Sequence, residues 1–292
     1  MSEGFSPTRW AIEISKLLNA VMGPDHFPIK VANVAKEYSV QRFPQDPIAV
    51  VRGDSLPGFD GALYPAPAGK KGWGIIYNSA IRSKGRINFT LAHEFGHYLV
   101  HRLTHPEGIE CGEKDVVRWD SAYGQIEHQA NVFAANLLMP LDDYRRLIPA
   151  NARIDMDMIA AATDRYEVSL TAAILRWLDY TERRAVLVVS RDGFIDWARS
   201  SPAALRTGAF FRTAQNTIPV PARSLAAHPS TGGENMVAEF EPGIWFNEPV
   251  KEFAVSSEEY GFVVSLLLLE AAPRFSIEEG QPLEDTVQRF ER

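Results

Sequence analysis

The chain has 292 residues, 46% hydrophobic and 23% charged, with a formal net charge of -7. These proportions describe a globular chain of about two domains and exclude collagen-like, low-complexity and disordered classes. A single cysteine, Cys111, excludes an intramolecular disulfide framework, and the net acidity opposes indiscriminate nucleic-acid binding.

No apolar run approaches the roughly 20 residues that span a bilayer, so no membrane association is expected. The first residues lack the basic and apolar stretches of a secretory signal, which makes the cytoplasm the expected compartment. In chain order, apolar periodicity predicts helices over Arg9–Ala20 and Ile29–Tyr38. Short strands follow at Ile48–Val51, Ala62–Tyr64 and Trp73–Tyr77, divided by Gly and Pro. A helix is expected over Asn88–Leu103, then a charged loop over Thr104–Asp120. A second helix over Ser121–Met139 places Ala130, Phe133, Ala134, Leu137 and Leu138 on one stripe and stops at Pro140.

Two shorter helical patterns, Asp155–Arg165 and Leu170–Tyr180, are joined through Val168 and Ser169, with Ser169 as the expected N-cap. Their spacing has the form of a helix-turn-helix, without the Gly common in its turn. From Ala185 the texture changes to strands, at Ala185–Val189, Val237–Phe240, Phe253–Val255 and Phe262–Leu269. The expected class is therefore α+β. Its parts are a first, mixed domain at 1–150, a helical, helix-turn-helix-like segment at 151–183 and a C-terminal α+β domain at 184–292.

The chemistry lies in His93-Glu94-Phe95-Gly96-His97. Positions i and i+4 of a helix share a face, so His93 and His97 can aim imidazole nitrogens at one ion. Glu94, rotated from them, falls beside the ion's open position, where a carboxylate can move protons as a general base. A catalytic zinc usually takes a third protein ligand. Glu127 on the next helix is the best candidate, with Asn131 one turn on as a hydrogen-bonding group that orients a ligating histidine. Two His and one Glu suit Zn2+. His101 and His105 read as ordinary histidines, since an ion held by the first pair has difficulty reaching a further turn. The second oxyanion donor stays open among Tyr64, Tyr77, Tyr123 and His128. Strand Trp73–Asn78 offers an edge for pairing with an extended substrate.

The runs Phe89–His97 and Glu127–Pro140 resemble the ImmA/IrrE family of metallo-endopeptidases. With the segment carrying Val168 and Ser169, the likeness covers roughly residues 25 to 180. The resemblance implies a gluzincin-like, zincin-fold peptidase core with His93, His97 and Glu127 as zinc ligands and Glu94 as base. It implies helix-turn-helix transcriptional repressors as substrates, in DNA-damage, phage-related or mobile-element settings. It also implies a C-terminal sensor, GAF-like in some members.

Two features bear on regulation. Cys111, between the ligand helices, can supply a thiolate to the fourth zinc position and displace the catalytic water, giving a conditional inhibitory ligand. Glu110 and Glu113 flank it and are expected to raise the pKa of a free thiol. Arg199, Arg206 and Arg212 are interleaved with Trp197, Phe210 and Phe211, a pattern that fits single-stranded DNA as an activating partner. The competing reading is a DNA-binding transcriptional regulator in which the metallopeptidase fold is a scaffold and residues 154–182 read DNA.

Overall fold

Helix α1 (Pro7–Met22) starts at Ser6, whose hydroxyl accepts from the Arg9 amide at 3.3 Å. Pro7 sits in the first turn, where its missing N–H costs nothing. The computed structural model describes residues 5–56, 58–111, 122–230, 234–257 and 260–271. Helix α2 (Val31–Arg42) leads into a four-stranded sheet formed by β1 (Ile48–Asp54), β2 (Gly61–Pro65), β3 (Trp73–Asn78) and β4 (Ile109–Cys111). The strand order is β1-β3-β2-β4, with β1 parallel to β3 and the other pairs antiparallel.

This order corrects the expected substrate edge. Strand β3 is paired on both sides, with β1 and with β2, so its backbone groups are already in use. The edge strands are β1 and β4, and β4 falls inside the stretch read from sequence as a charged loop. Cys111 is thus a strand residue opposite Gly61, not a loop residue. Glu113, with the rest of 112–121, lies outside the described residues.

Helix α3 (Lys84–Val100) begins four residues earlier than its apolar pattern announces, because Ser83 caps it by accepting from the Arg86 amide at 3.2 Å. Helix α4 (Ala122–Leu138) packs along it. A Cβ added at Gly96 would stand 3.0 Å from the Phe133 ring and 3.3 Å from the Ala130 Cα, so any larger residue there would make Phe133 or α4 give way. Phe133, Ala134, Leu137 and Leu138 are all buried, as the stripe on α4 requires.

Helix α5 (Leu141–Leu147) is followed by α6 (Met156–Tyr166) and α7 (Leu170–Leu178). Ser169 caps α7, accepting from the Ala172 amide at 3.1 Å, and Glu167 takes the left-handed conformation (φ 51°) at the turn. No residue of α7 is exposed, and Trp177 in its last turn is fully buried. A helix that reads DNA must present side chains to a groove. The pair therefore has the sequence spacing of a helix-turn-helix but gives its second helix to the core.

The remaining strands make one antiparallel sheet. They are β5 (Ala185–Arg191), β6 (Phe194–Ser200), β7 (Ile218–Pro219), β8 (Met236–Phe240), β9 (Val250–Ser257) and β10 (Phe262–Leu269), in the order β7-β6-β5-β10-β9-β8. A short helix α8 (Pro202–Arg206) follows β6. The main core runs through α1, α3, α4 and α7 onto one face of this sheet, at Leu187, Val189, Phe253, Val264 and Leu266. A second, smaller core on the other face holds Val186, Val188, Trp245, Ala254 and Leu267. Burial on both faces explains why β5 and β10 read as continuous apolar runs and not as alternation. No helix among the described residues is long and apolar enough to cross a membrane.

Candidate metal centre

Helix α3 brings His93 and His97 to one face, one turn apart, with their Nε2 atoms 2.9 Å from each other. Helix α4 adds Glu127, whose carboxylate oxygens lie 3.1 Å from His93 Nε2 and 3.3 Å from His97 Nε2. Strand β4 adds Cys111, with Sγ 3.4 Å from His97 Nε2 and 3.7 Å from a Glu127 oxygen. One atom from each of these four residues lies within 4.8 Å of all the others.

The donor set fits a cation. Ligands on a tetrahedral zinc, at bond lengths of about 2.0–2.3 Å, stand roughly 3.3–3.7 Å from one another, close to the separations here. Two imidazole nitrogens facing each other inside the protein also need a positive charge or a proton between them. His93 Nδ1 meets Asn131 Oδ1 at 2.9 Å, which leaves its Nε2 lone pair for the centre.

Glu94 stands next to this cluster, fully buried, and neither of its carboxylate oxygens has a hydrogen-bond partner. Gly61 makes the room for it: a Cβ there would lie 2.9 Å from Glu94 Oε1 and 2.5 Å from the Thr90 methyl. Burial pushes the Glu94 carboxyl up to about 7, against the opposing pull of His93. His97 is driven down to about 3, chiefly by burial. Burial works to lower His93 as well, but its hydrogen bond to Glu127 and the charges of Glu94 and Glu127 leave it raised. Glu127 is held well below the carboxylate range because the bonds from His93 and His97 outweigh its burial.

The Cys111 thiol is strongly raised, first by burial and then by Glu94 and Glu127. Glu94 and Glu127 act on it in place of the expected Glu110, while Glu113 lies outside the described residues. Without a cation the sulfur keeps its proton. A metal is what can convert it to a ligating thiolate.

Other expectations are redistributed. His101 is not an ordinary histidine: it is buried, its Nδ1 lies 3.0 Å from His97 Nδ1, and its Nε2 lies 2.9 Å from Gln129 Oε1 on α4. The signal was present as four-residue spacing, but sequence alone does not show that a residue out of the ion's reach can still touch a ligand. His105 is half-buried and pairs with Glu107 at 3.2 Å. Among the oxyanion candidates, Tyr123 donates to the Glu110 carbonyl at 2.7 Å, and Tyr64 lies against Gly74 on the sheet face opposite Leu63. Tyr77 packs on Gly53, and His128 is exposed on α4. A cavity of about 640 Å³, lined by Leu56, Ala62, Tyr64, Ile76, Tyr123 and Ile126, flanks β4 without including any of the four ligand residues.

The three arginines are exposed, but their aromatic neighbours do not form a stacking platform. Trp197 packs on the main core, while Phe211 lies in the second core against Trp245 and Phe246. Only Phe210, with the Arg212 guanidinium 5.5 Å from its ring centre, is offered to solvent.

Paired histidines on one helix, a glutamate from the next and an unpartnered buried carboxylate at their side define a zincin-like metallopeptidase domain. Residues 45–178 match the Peptidase_M78 family, described as the IrrE N-terminal-like domain. This part of the chain is a domain of the ImmA/IrrE family. Comparison with curated proteins finds no match.

Proposed function

We propose that the protein is a regulated zinc-dependent endopeptidase that cleaves a helix-turn-helix transcriptional repressor in a DNA-damage, phage-related or stress response. One observation carries the catalytic part: a fully buried, unpartnered Glu94 carboxylate, held near neutrality, lies against a two-histidine, one-glutamate cluster. His93, His97 and Glu127 would hold Zn2+, which supplies Lewis acidity toward a water and a peptide carbonyl. Glu94 takes the proton from the attacking water and returns it to the leaving amine, a task suited to a carboxyl poised near 7. Asn131 keeps the His93 ring turned toward the centre. An extended substrate pairs beside the cluster along β4, which carries Cys111 and is the sheet edge at the site.

Regulation enters through Cys111. With its sulfur beside His97 and Glu127, Cys111 would be a fourth protein ligand to a zinc held by His93, His97 and Glu127, and four protein ligands are the mark of closed, structural zinc sites. Cys111 would have to withdraw for a water to be bound there. The C-terminal sheet shares the main core with α7, which supports reading it as a sensor for an activating ligand, single-stranded DNA being the one to test.

The test uses zinc-loaded wild type, Glu94→Gln and Cys111→Ser, each incubated with helix-turn-helix repressors from the same genome, with and without single-stranded DNA. Cleavage by wild type and by Cys111→Ser, absent from Glu94→Gln, is the expected result. Cleavage by Cys111→Ser alone, whatever DNA is added, would keep the enzyme and remove DNA as its signal. No cleavage by zinc-loaded Cys111→Ser would overturn the peptidase reading for that substrate.

A further inference from the structure

His97 has a hydrogen-bonded chain behind it that crosses from α3 to α4. We propose that His101 and Gln129 form a relay that fixes the tautomer of His97 and so act as positioning residues for the metal ligand. The proposal rests on the reading of His93, His97 and Glu127 as a metal site.

The geometry allows two directions for this chain. His97 Nδ1 and His101 Nδ1 are 3.0 Å apart, so a single proton must lie between them, on one ring or the other. Both rings are buried, which keeps water from serving as a substitute partner. When His97 offers its Nε2 lone pair to a cation, its proton is on Nδ1 and His101 Nδ1 accepts it. Neutral His101 then carries its own proton on Nε2 and donates to the Gln129 carbonyl oxygen, 2.9 Å away. Each donor meets an acceptor.

The opposite direction is unproductive. His101 Nδ1–H would donate to His97 Nδ1, placing the His97 proton on Nε2, among His93, Glu127 and Cys111, with no lone pair left for an ion. His101 Nε2 would then be an acceptor, and Gln129 would have to present its NH2 group. The group that Gln129 turns toward His101 is therefore coupled to which nitrogen of His97 is free, and the structure has its Oε1 there. The usual partner behind a ligating histidine is a carboxylate, a carbonyl or water, none of which has a tautomer of its own. Here the partner is a second imidazole, whose direction must itself be set. His93 needs no such device, because Asn131 accepts from it directly.

The test reads ring tautomers and metal affinity in the full chain. In zinc-loaded, 15N-histidine-labelled wild type, long-range 1H–15N spectra should show His97 protonated on Nδ1 and His101 on Nε2. Zinc affinity by competition with a chromophoric chelator should fall roughly 10–100-fold in Gln129→Leu and in His101→Phe, the usual effect of removing a group behind a ligand. Gln129→Glu, which can only accept, should keep or tighten wild-type affinity. If His101→Phe does not fold by circular dichroism, the two Gln129 variants carry the test. A proton on His101 Nδ1, affinity of Gln129→Leu within twofold of wild type, or equal weakening in both Gln129 variants would overturn the relay. Wild type that binds no zinc would remove the relay and the metal site together. Zinc binding with the expected tautomers but no repressor cleavage would remove only the substrate assignment.

Discussion

Glu94 on α3 and Glu252 on β9 are both fully buried glutamates, one in each sheet's neighbourhood, and their surroundings are opposite. Glu252 accepts from Trp245 Nε1 and Ser265 Oγ at 2.8 Å each, and from the amides of Leu225 and Ala226 at 3.1 Å each. Neither Glu94 oxygen has a partner within hydrogen-bond geometry, and among the described residues only the Cys111 thiol acts on it as a donor. A carboxylate taken out of water must be repaid with hydrogen bonds or become a liability to the fold. Glu252 is repaid and ties the segment around Leu225 and Trp245 to the sheet. Glu94 is left unsatisfied beside the His93, His97 and Glu127 cluster.

The largest effect that can break this comparison is on turnover. Glu94→Gln should lower repressor cleavage about 10²–10⁴-fold, the range for loss of a general base, while its melting temperature stays at or above that of wild type. A parallel loss of fold would make Glu94 structural and erase the contrast. Next comes stability of the C-terminal sheet: Glu252→Leu strands four donors and should cost on the order of 3 kcal/mol in chemical denaturation, with zinc affinity unchanged.

A smaller effect is expected at Gly61. Gly61→Ala puts a methyl against Thr90 and the Glu94 carboxylate and should cost about 1–3 kcal/mol, together with a measurable loss of cleavage. Unaltered stability and turnover would show that Glu94 is less confined than described. The smallest is a pH effect in zinc-free protein. Burial raises the Glu94 pKa from 4.5 to about 7, so its contribution favours the fold at low pH and is lost as pH rises through about 7. Melting of wild type relative to Glu94→Gln should therefore worsen between pH 5 and 8. A constant difference across that window would mean that the carboxyl is not desolvated.

What local sequence determines is whatever depends on spacing within one element. The four-residue step from His93 to His97 and from Glu127 to Asn131 places each pair on one helical face, whatever the rest of the chain does. Ser169 caps α7 for the same local reason, and the α4 stripe buries where its period says. Periodicity failed where capping or pairing overrode it. Ser83 starts α3 ahead of its apolar pattern, and β6, with its mixed Phe-Ile-Asp-Trp-Ala-Arg-Ser run, is a strand only because β5 and β7 pair with it. Tertiary structure alone decided that β3 is central, that Cys111 sits on a strand facing His97, that α7 faces inward and that His101 touches His97. The reason is physical: helix geometry is fixed by neighbours three and four residues away, whereas sheet order, the burial of a thiol and the second partner of a histidine depend on residues brought together from distant parts of the chain.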